Sequence, residues 1–475
     1  MPPSRALLVG ILVPGRPPED LDASLDELGR LCKTLGFQVV GRFVQRRADT
    51  EAAQLLGRGR LKALADWTGG SGEVHRGPKK TKKNPEDDEI QSEMDEDDWD
   101  LPSDEDEDAD LDDAPEPPED DAGPGPDGPR ANVVVVDHDL SPSQLRNLKD
   151  AAGCEVLDRS GVIIEIFSQR ARSREARLQV ELARLTYLAP RRRELGGPSE
   201  RPRGGIGGKG AGETGVELDR RRNRDRMAEI RRELAELEGN SAVRRERRQD
   251  ARKVALVGYT NAGKSSLMRA LTDAEPYVAD QLFATLDTTI RRLHPAARPP
   301  ILVTDTVGFI KDLPHSLVAS FRSTLDAAAE ASLLLHVVDA SDPTWRQQEE
   351  VTAAVLGEIG AADIARVLLF NKCDRLSEDA IAALQAERPD AWTTSARSEA
   401  ATAALHARIV SWFVSRDPEA ELFVPWSHAS VTGMIHAQTT VMSEVFEDEG
   451  VRFQVRAAED VLARVRGALG ITSAG

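Results

Sequence analysis

The stretch from Gly258 to Ser265 predicts a phosphate-binding loop. It reads Gly-Tyr-Thr-Asn-Ala-Gly-Lys-Ser and fits the pattern G-x-x-x-x-G-K-[ST] at every fixed position. The apolar run Val254–Val257 precedes it and a helical pattern that ends near Leu271 follows, which is the strand–loop–helix context that the pattern requires. There the loop glycines let backbone N–H groups face phosphate oxygens, and the helix N-terminus adds a positive end. Lys264 can then reach the terminal phosphates of a nucleotide, and the Ser265 hydroxyl can hold Mg²⁺.

Motifs further along the chain indicate which nucleotide this loop binds. An apolar run leads to Asp305, which can hold Mg²⁺ through water, and to Gly308, whose N–H can meet the last phosphate. The tetrapeptide from Asn371 to Asp374 reads N-K-C-D and resembles the guanine-reading motif of GTPases. Its final carboxylate would accept two hydrogen bonds from guanine, whereas adenine lacks that pair of donors and would be rejected. The tripeptide Ser-Ala-Arg that starts at Ser395 is similar to the loop that closes over guanine in that class.

Each short motif is weak by itself, but their order is specific. We therefore expect a P-loop GTPase domain at residues 251–416, built as a doubly wound α/β sheet. A small C-terminal α/β domain is expected at residues 417–475, where the patterns indicate strands at Glu421–Trp426 and Val451–Val455 and a helix at Ala458–Leu469.

The cysteines and the apolar runs bear on the compartment of the protein. Cys32, Cys154 and Cys373 lack the spacing of a metal site, so we expect free thiols in a reducing compartment. The apolar run Ala6–Val13 reads as a strand rather than a signal peptide, and no run approaches the roughly 18–20 apolar residues of a membrane span. We expect a cytoplasmic protein without a membrane span, monomeric when free.

The net charge of −19 comes from one tract. Residues 86–127 contain 23 acidic and no basic residues, and the rest of the chain has 62 basic against 58 acidic residues. This tract has few apolar side chains, so we expect a disordered insertion at about residues 69–130. It is either a solvated, tolerated loop or an acidic arm that mimics RNA or shields a basic surface.

Residues 1–168 read as an α/β domain around this insertion, with a small parallel sheet. The apolar patterns predict strands at Ala6–Val13, Gln38–Val44 and Asn132–Val136, helices at Leu21–Leu35, at Leu61–Trp67 and after Ser141, and short buried elements at Val156 and Val162–Ile166. A G-x-G at Gly57 could touch an anion, but a plain turn explains it as well.

Residues 169–250 read as a basic antiparallel helical hairpin. One helix is expected from Gln169 to Leu188, ended by Pro190, and a second from Val216 to Leu237. Between them lies a loop at residues 204–214 in which six of eleven residues are glycine, and residues 169–253 carry 24 basic against 14 acidic side chains. Such a loop could mould its backbone onto RNA while arginines bind phosphates, or it could be the solvated tip of a hairpin. The residues expected to contact RNA are Gly204, Gly205, Gly207, Lys209, Gly210, Gly212, Arg220 and Arg221.

Several longer stretches are similar to the HflX family of GTPases. They include SPSQLRNL from Ser141, DRSGVI from Asp158, QRARSRE from Gln169, GGIGGKGAGET from Gly204 and DTVGFIKDLPH from Asp305. The resemblance covers nearly the whole chain outside the acidic insertion and implies a GTPase that binds the large ribosomal subunit and its rRNA. It also implies that the protein helps split or rescue stalled ribosomes, notably under heat stress. The chain departs from the family at Lys209 and Ala211, where Arg and Pro are usual.

The resemblance also assigns the first switch, Phe283-Ala284-Thr285-Leu286-Asp287. Thr285 would complete the Mg²⁺ shell beside Ser265 and water-linked Asp305, although Thr288 and Thr289 are rivals by spacing. The residues expected to contact GTP or GDP are Gly258, Tyr259, Thr260, Asn261, Ala262, Gly263, Lys264, Ser265, Ser266, Phe283, Ala284, Thr285, Leu286, Asp287, Asp305, Thr306, Val307, Gly308, Asn371, Lys372, Cys373, Asp374, Ser395, Ala396 and Arg397.

No catalytic side chain is evident from the sequence. Phe309 occupies the position where many GTPases carry a water-orienting Gln, so we expect slow intrinsic, Mg²⁺-dependent hydrolysis of GTP to GDP and phosphate, completed by a partner. Asn261 either helps to bind K⁺ or makes a structural hydrogen bond in the loop. Two other functions stay open, namely a GTPase of large-subunit assembly and a non-enzymatic RNA-binding adaptor.

Overall fold

A computed structural model gives the fold for most of the chain. The acidic tract, the glycine-rich loop, Ala284 and Asp287 lie outside the described residues. The chain forms two compact units, Met1–Ile163 with Pro190–Gly210, and Ile164–Ala189 with Ala211–Gly475. The described residues are 3–48, 50, 52–74, 130–195, 215–246, 252–272, 282–283, 285–286, 288–311 and 327–470.

The first unit contains a four-stranded sheet in the order β2-β1-β3-β4, with every pair parallel. This confirms the predicted small parallel sheet. A core cluster on one of its faces includes Leu7, Phe43 and Val134. The strands are β1 Arg5–Leu12, β2 Gln38–Arg46, β3 Val133–Val136 and β4 Glu155–Asp158, and the helices beside them are α1 Pro18–Thr34, α2 Arg58–Thr68 and α3 Pro142–Ala152.

Local sequence explains both the buried strand β3 and the helix α3 that follows it. All four residues of β3 are valines and all are buried, as expected for a parallel strand covered on both faces. Helix α3 begins with a capping box, in which the Ser141 hydroxyl accepts from Gln144 N and the Gln144 side chain accepts from Ser141 N. It ends at Gly153, whose φ of 63° is the left-handed conformation that glycine adopts readily.

The next three helices differ from the prediction at their ends. They are α4 Arg159–Arg170, α5 Arg174–Leu195 and α6 Gly215–Glu246. Val162–Ile166 is therefore part of a continuous helix rather than a separate short element. The chain breaks between α4 and α5 because Ser173 caps the second helix, its hydroxyl accepting from Ala176 N.

Pro190 does not end α5, contrary to the prediction. Proline removes one N–H donor from the helix, but the residue after it is firmly held. The buried Arg191 guanidinium donates to the carboxylate of Asp158 over 2.5 Å and to the carbonyl oxygen of Leu140 over 2.9 Å. These tertiary contacts stabilise the turn that follows the proline, which sequence periodicity does not reveal.

The second unit contains a six-stranded sheet in the order β10-β9-β8-β5-β7-β6. All pairs are parallel except β6 with β7. Core clusters lie on both of its faces, which confirms the predicted α/β layering. The strands are β5 Arg252–Gly258, β6 Thr289–Arg292, β7 Ile301–Asp305, β8 Leu333–Asp339, β9 Arg366–Asn371 and β10 Trp392–Thr393; the helices are α7 Lys264–Leu271, α8 Trp345–Glu358, α9 Glu378–Glu387 and α10 Glu399–Val414.

The C-terminal residues form a three-stranded antiparallel sheet in the order β11-β13-β12 with two helices on one face. The prediction missed the strand β12 and the first of these helices. In β12 the exposed side chains include Met442, Val445 and Phe446, so the polar–apolar alternation of a strand is absent. The elements are β11 Glu419–Pro425, α11 Ser430–Gln438, β12 Thr440–Glu447, β13 Gly450–Arg456 and α12 Glu459–Ala468. None of the helices in the described part of the chain is long and apolar enough to cross a membrane.

Candidate nucleotide-binding site

The predicted phosphate-binding loop connects β5 to α7 at the carboxyl end of the central strand. Gly258 has a φ of 147° and Gly263 a φ of 95°, both in the region that side chains disfavour. A Cβ atom at Gly258 would collide with the carbonyl oxygen of Val337, and one at Gly263 would collide with the side-chain amide of Asn371. Both glycines are therefore required by conformation and by space.

Lys264 is buried at the start of α7. Its Nζ donates to the carbonyl oxygens of Gly258, over 3.0 Å, and Tyr259, over 2.8 Å. Burial lowers the pKa of this ammonium to about 8, and the nearby Asp305 carboxylate opposes the shift. The loop therefore holds a buried cation whose charge only carbonyl dipoles and one carboxylate offset, an arrangement suited to binding phosphate.

Three side-chain oxygens converge next to this lysine. The Ser265 hydroxyl donates to Asp305 Oδ2 over 2.7 Å, and it lies 2.7 Å from the Thr285 hydroxyl. Asp305 is 1% exposed, and its Oδ1 has no hydrogen-bond partner among the described residues. Burial raises the pKa of this carboxyl group, while Lys264 counteracts the rise. Oxygen donors of this kind are what Mg²⁺ prefers, so the residues fit the ion predicted here.

The same cluster distinguishes Thr285 from its rival Thr289. Thr285 contacts Ser265, whereas Thr289 lies in β6 and pairs in register with Asp305 across the sheet. Of Thr285 and Thr289, it is therefore Thr285 that belongs to the hydroxyl cluster.

The guanine-reading motif is tied to the phosphate-binding loop through Asn371. The Asn371 side-chain amide donates to the carbonyl oxygen of Ala262 over 2.9 Å, and its Oδ1 accepts from Ala396 N over 3.1 Å. The Ser395 hydroxyl donates to Asp374 Oδ1 over 2.6 Å and accepts from Arg397 N over 3.2 Å. The three predicted motifs thus form one continuous site.

Asp339 is a site residue that the sequence analysis missed. Lys372 has a φ of 61°, and its Nζ lies 2.7 Å from Asp339 Oδ2 in a largely buried ion pair. Asp339 ends β8, next to the strand that carries the guanine-reading motif. An aspartate at the carboxyl end of a parallel strand was the available signal, because ligands of such sheets bind at that edge.

Phe309 lies in the core rather than in the site. It is 1% exposed and packs in a cluster with Ala255, Val257 and Ala328. Its backbone N–H donates to the carbonyl oxygen of Gly258 over 3.1 Å. The residue therefore fastens the segment after Gly308 to the phosphate-binding loop, and its side chain cannot approach a nucleotide.

Asn261 is exposed and has a φ of 59°. Its side chain makes no hydrogen bond to the other described residues, so the predicted structural hydrogen bond is not seen in the described part of the chain. Asparagine tolerates this left-handed conformation better than most residues, which is itself a structural reason for its presence.

Most of the remaining residues predicted to contact the nucleotide are buried. Thr306 is buried, and its hydroxyl donates to the carbonyl oxygen of Leu256 over 2.8 Å. Gly308 lies so close to Thr260 that a Cβ atom there would meet its backbone. Tyr259, Val307, Phe283 and Leu286 are buried, and Ser266 and Cys373 are half-buried.

The two long helices run antiparallel, as predicted. Arg226 of α6 binds Glu181 of α5 through two hydrogen bonds of 2.8 and 2.9 Å, and Arg174 of α5 binds Glu233 of α6 over 2.7 Å. These ion pairs show that part of the basic charge is internally neutralised. Arg191 is likewise buried in an ion pair and does not belong to a free basic surface. The predicted RNA contacts Arg220 and Arg221 are exposed on α6, and the glycine-rich loop lies outside the described residues.

Three family models match consecutive parts of the chain. A model described as GTP-binding GTPase N-terminal matches residues 22–72 and 127–168, and one described as GTP-binding GTPase Middle Region matches residues 170–248. A model described as 50S ribosome-binding GTPase matches residues 253–372, which include the phosphate-binding loop and Asp305.

Individual proteins are similar to this chain over most of their length. GTPase HflX of Gluconacetobacter diazotrophicus is 48% identical over 98% of this chain and 97% of its own. GTPase HflX of Escherichia coli K12 is 41% identical over 69% of this chain and 78% of its own. A crystal structure of a GTP-binding protein from Sulfolobus solfataricus in complex with GDP covers 86% of this chain and 99% of its own, with 18% identity and a TM-score of 0.40. On these sequence relationships and the geometry of the P-loop site, the chain belongs to the HflX family of GTPases.

Proposed function

We propose that this HflX-family GTPase binds Mg²⁺–GTP through the predicted residues and acts on the large ribosomal subunit. The observation that carries the nucleotide assignment is the convergence of Ser265, Thr285 and Asp305 beside the buried Lys264. Ser265 and Thr285 would hold Mg²⁺ directly, and Asp305 would hold it through water. The ion, when bound, would neutralise charge on the last two phosphates.

The chain's own residues account for binding and orientation of GTP. The glycine-rich turn presents backbone N–H groups to the phosphates, and Lys264 supplies a cation that is already desolvated. At the other end, Asn371 fixes the loop geometry and Asp374 reads the base. Gly308 brings the backbone that follows Asp305 close to the phosphate-binding loop, where its N–H can meet the last phosphate.

Hydrolysis of GTP is the reaction of the family, and we propose that the free protein performs it slowly. Phe309 packs in the core and cannot orient a water molecule. The attacking water then depends on groups that a partner supplies or orders. A K⁺ ion at Asn261 is a second source of help, since that side chain is exposed beside the loop. Equal turnover in Na⁺ and K⁺ buffers would contradict the K⁺ site.

The ribosomal role rests on the middle region and on the relatives. In the middle region, Arg220 and Arg221 are exposed on α6. Residues 253–372 match a family model described as 50S ribosome-binding GTPase. We propose that the hairpin contacts rRNA phosphates and that the protein helps split or rescue stalled ribosomes under stress. The divisions 1–168, 169–250, 251–416 and 417–475 are proposed as its domains. A role in large-subunit assembly would use the same surface.

GTP turnover with and without purified large subunits, at matched salt, tests this function. Strong stimulation by mature subunits is expected for splitting or rescue, whereas measurable GTP binding without stimulation would favour the assembly role. A complete absence of turnover with and without subunits would contradict the enzyme assignment and leave the adaptor alternative.

Charge reversal tests the proposed RNA contact. Arg220→Glu with Arg221→Glu should weaken subunit binding about tenfold and reduce the salt slope by roughly 1 to 2, because phosphate contacts release counterions. Arg30→Glu with Lys33→Glu, at exposed positions on α1, changes the net charge equally and is the matched control. Equal weakening by both pairs would show only a loss of general charge attraction.

A further inference from the structure

A buried aromatic pair links the predicted first switch to the helix α4. Phe167 lies in that helix, and Phe283 lies two residues before Thr285. Their ring centroids are 4.6 Å apart and their ring planes meet at 89°. This edge-to-face arrangement is one that aromatic rings favour. Because Phe167 is 1% and Phe283 2% exposed, both rings are removed from water and each constrains the other.

Phe283 is also held in a backbone conformation that a side chain disfavours. Its φ is 56°. Among the described residues other than glycine, the only others with a positive φ are Asn261 in the phosphate-binding loop and Lys372 in the guanine-reading motif. Such conformations persist only where surrounding contacts impose them, and they concentrate at functional sites. The ring of Phe167 is one of the contacts that can impose this one.

The backbone conformation of Phe283 bears on the proposed Mg²⁺ site. Thr285 follows Phe283 by two residues, and its hydroxyl lies 2.7 Å from that of Ser265. If the ring of Phe283 were released, the backbone could leave the left-handed region, and the direction of the chain into Thr285 would change. We propose that Phe167 is a positioning residue, which fixes Phe283 and thereby places the Thr285 hydroxyl for Mg²⁺–GTP.

This inference rests on the proposed role of Thr285, and it predicts selectivity between nucleotides. Thr285 is needed only when the last phosphate is present, so GDP binding should be insensitive to its position. Phe167 therefore stabilises the GTP-bound state specifically. A ring that only filled the core would affect both nucleotides through overall stability.

The affinities of a fluorescent GDP and a fluorescent non-hydrolysable GTP analogue, both with Mg²⁺, separate these possibilities. Phe167→Leu should weaken binding of the analogue about three- to tenfold, the range expected for an aromatic pair. GDP affinity should stay within about twofold, since that ligand does not use Thr285. Phe43→Leu is the matched control, because Phe43 is fully buried in the N-terminal sheet. It should leave the ratio of the two affinities unchanged.

A double-mutant cycle tests whether Phe167 acts through Phe283. Adding Phe167→Leu to a Phe283→Leu protein should change the affinity ratio little, because the shared contact is already lost. Additive effects, or equal weakening of GDP and the analogue, would overturn the proposal. If Phe167→Leu does not fold, Phe167→Met serves instead, because methionine keeps the apolar volume but not the aromatic edge.

Thr285→Ala distinguishes failure of this inference from failure of the proposed site. If Thr285→Ala leaves the affinity ratio unchanged, the Mg²⁺ role of Thr285 is wrong and the inference falls with it. If Thr285→Ala lowers the affinity for the GTP analogue relative to that for GDP while Phe167→Leu does not, only the positioning role of Phe167 is overturned.

Discussion

The hydroxyl of Ser395 donates a hydrogen bond of 2.6 Å to Oδ1 of Asp374. The two residues come from separate loops, after β10 and β9, and the contact orients a carboxylate that is otherwise exposed. Since Oδ1 is engaged by the serine, the orientation of the exposed carboxylate is restrained by a residue of another loop. The carboxylate proposed to read the base is thus prearranged by a second motif rather than by its own loop alone.

Replacing Asp374 with Asn should change the base preference. The change removes charge-assisted hydrogen bonds to guanine worth about 1.5–3 kcal/mol, so GTP affinity should fall roughly 10- to 100-fold. Xanthosine triphosphate should bind better than GTP, because xanthine has a carbonyl group where guanine has its amino group, and that carbonyl accepts a hydrogen bond from the new amide. Titration calorimetry with both nucleotides measures this, and Asp390→Asn, at an exposed position, is the control. Unchanged GTP affinity in Asp374→Asn would refute its base-reading role.

The affinity for GTP should fall at alkaline pH. The pKa of Lys264 is lowered to about 8 by burial, and phosphate binding favours the ammonium, so that the bound state has the higher pKa. Below about pH 8 the lysine is already charged and affinity is flat; above it, binding must take up a proton.

We expect up to about a tenfold loss of affinity per pH unit between about pH 8 and the pKa of the complex. Calorimetry at pH 8.5 in buffers with different ionisation enthalpies should reveal this proton uptake. Lys264→Met should bind weakly and show no uptake; a wild-type affinity that is flat through this range would contradict the assignment to Lys264.

Phe309→Gln should not create a faster enzyme, even though Gln is common at this position. The residue is 1% exposed in the core, so a buried amide without partners would destabilise the fold by about 2–4 kcal/mol. Thermal unfolding and single-turnover GTP hydrolysis test both parts. Phe446→Gln, where the side chain is 69% exposed, should leave stability nearly unchanged. A rise in hydrolysis rate for Phe309→Gln would mean that the side chain can reach the attacking water.

A buried ion-pair cluster should dominate the stability of the N-terminal sheet region. The guanidinium of Arg159 is 2% exposed and binds the carboxylates of Glu27 and, over 2.8 Å, Asp137. Arg159→Ala would remove the buried cation from Glu27 and Asp137, while Asp137 would keep its longer ion pair with Arg16 at 3.4 Å. The expected cost is about 3–5 kcal/mol in the free energy of unfolding.

The exposed pair of Arg42 with Asp26 provides the comparison for that cluster. Arg42→Ala should cost no more than about 1 kcal/mol, because water screens the charges. Denaturant unfolding of both variants decides the matter. Equal effects would show that burial of the Arg159 cluster contributes nothing beyond a surface ion pair.

Local sequence was enough to predict the α/β layers and the positions of the nucleotide-binding motifs. Fixed-spacing motifs such as Gly258 to Ser265 depend on local backbone geometry, so they can be read without tertiary contacts. The buried strands β3 and β5 could also be predicted from the sequence, because strands covered on both faces read as nearly continuous apolar runs.

Which of several chemically equivalent residues lie together became evident from the three-dimensional contacts alone. Thr285 rather than Thr289 meets Ser265, and Asp339 pairs with Lys372 across more than thirty intervening residues. Pro190 lies inside a helix because a distant carboxylate holds Arg191. These outcomes depend on contacts between residues far apart in the chain, which neither spacing nor periodicity encodes, and the pairing of Phe167 with Phe283 belongs to the same class.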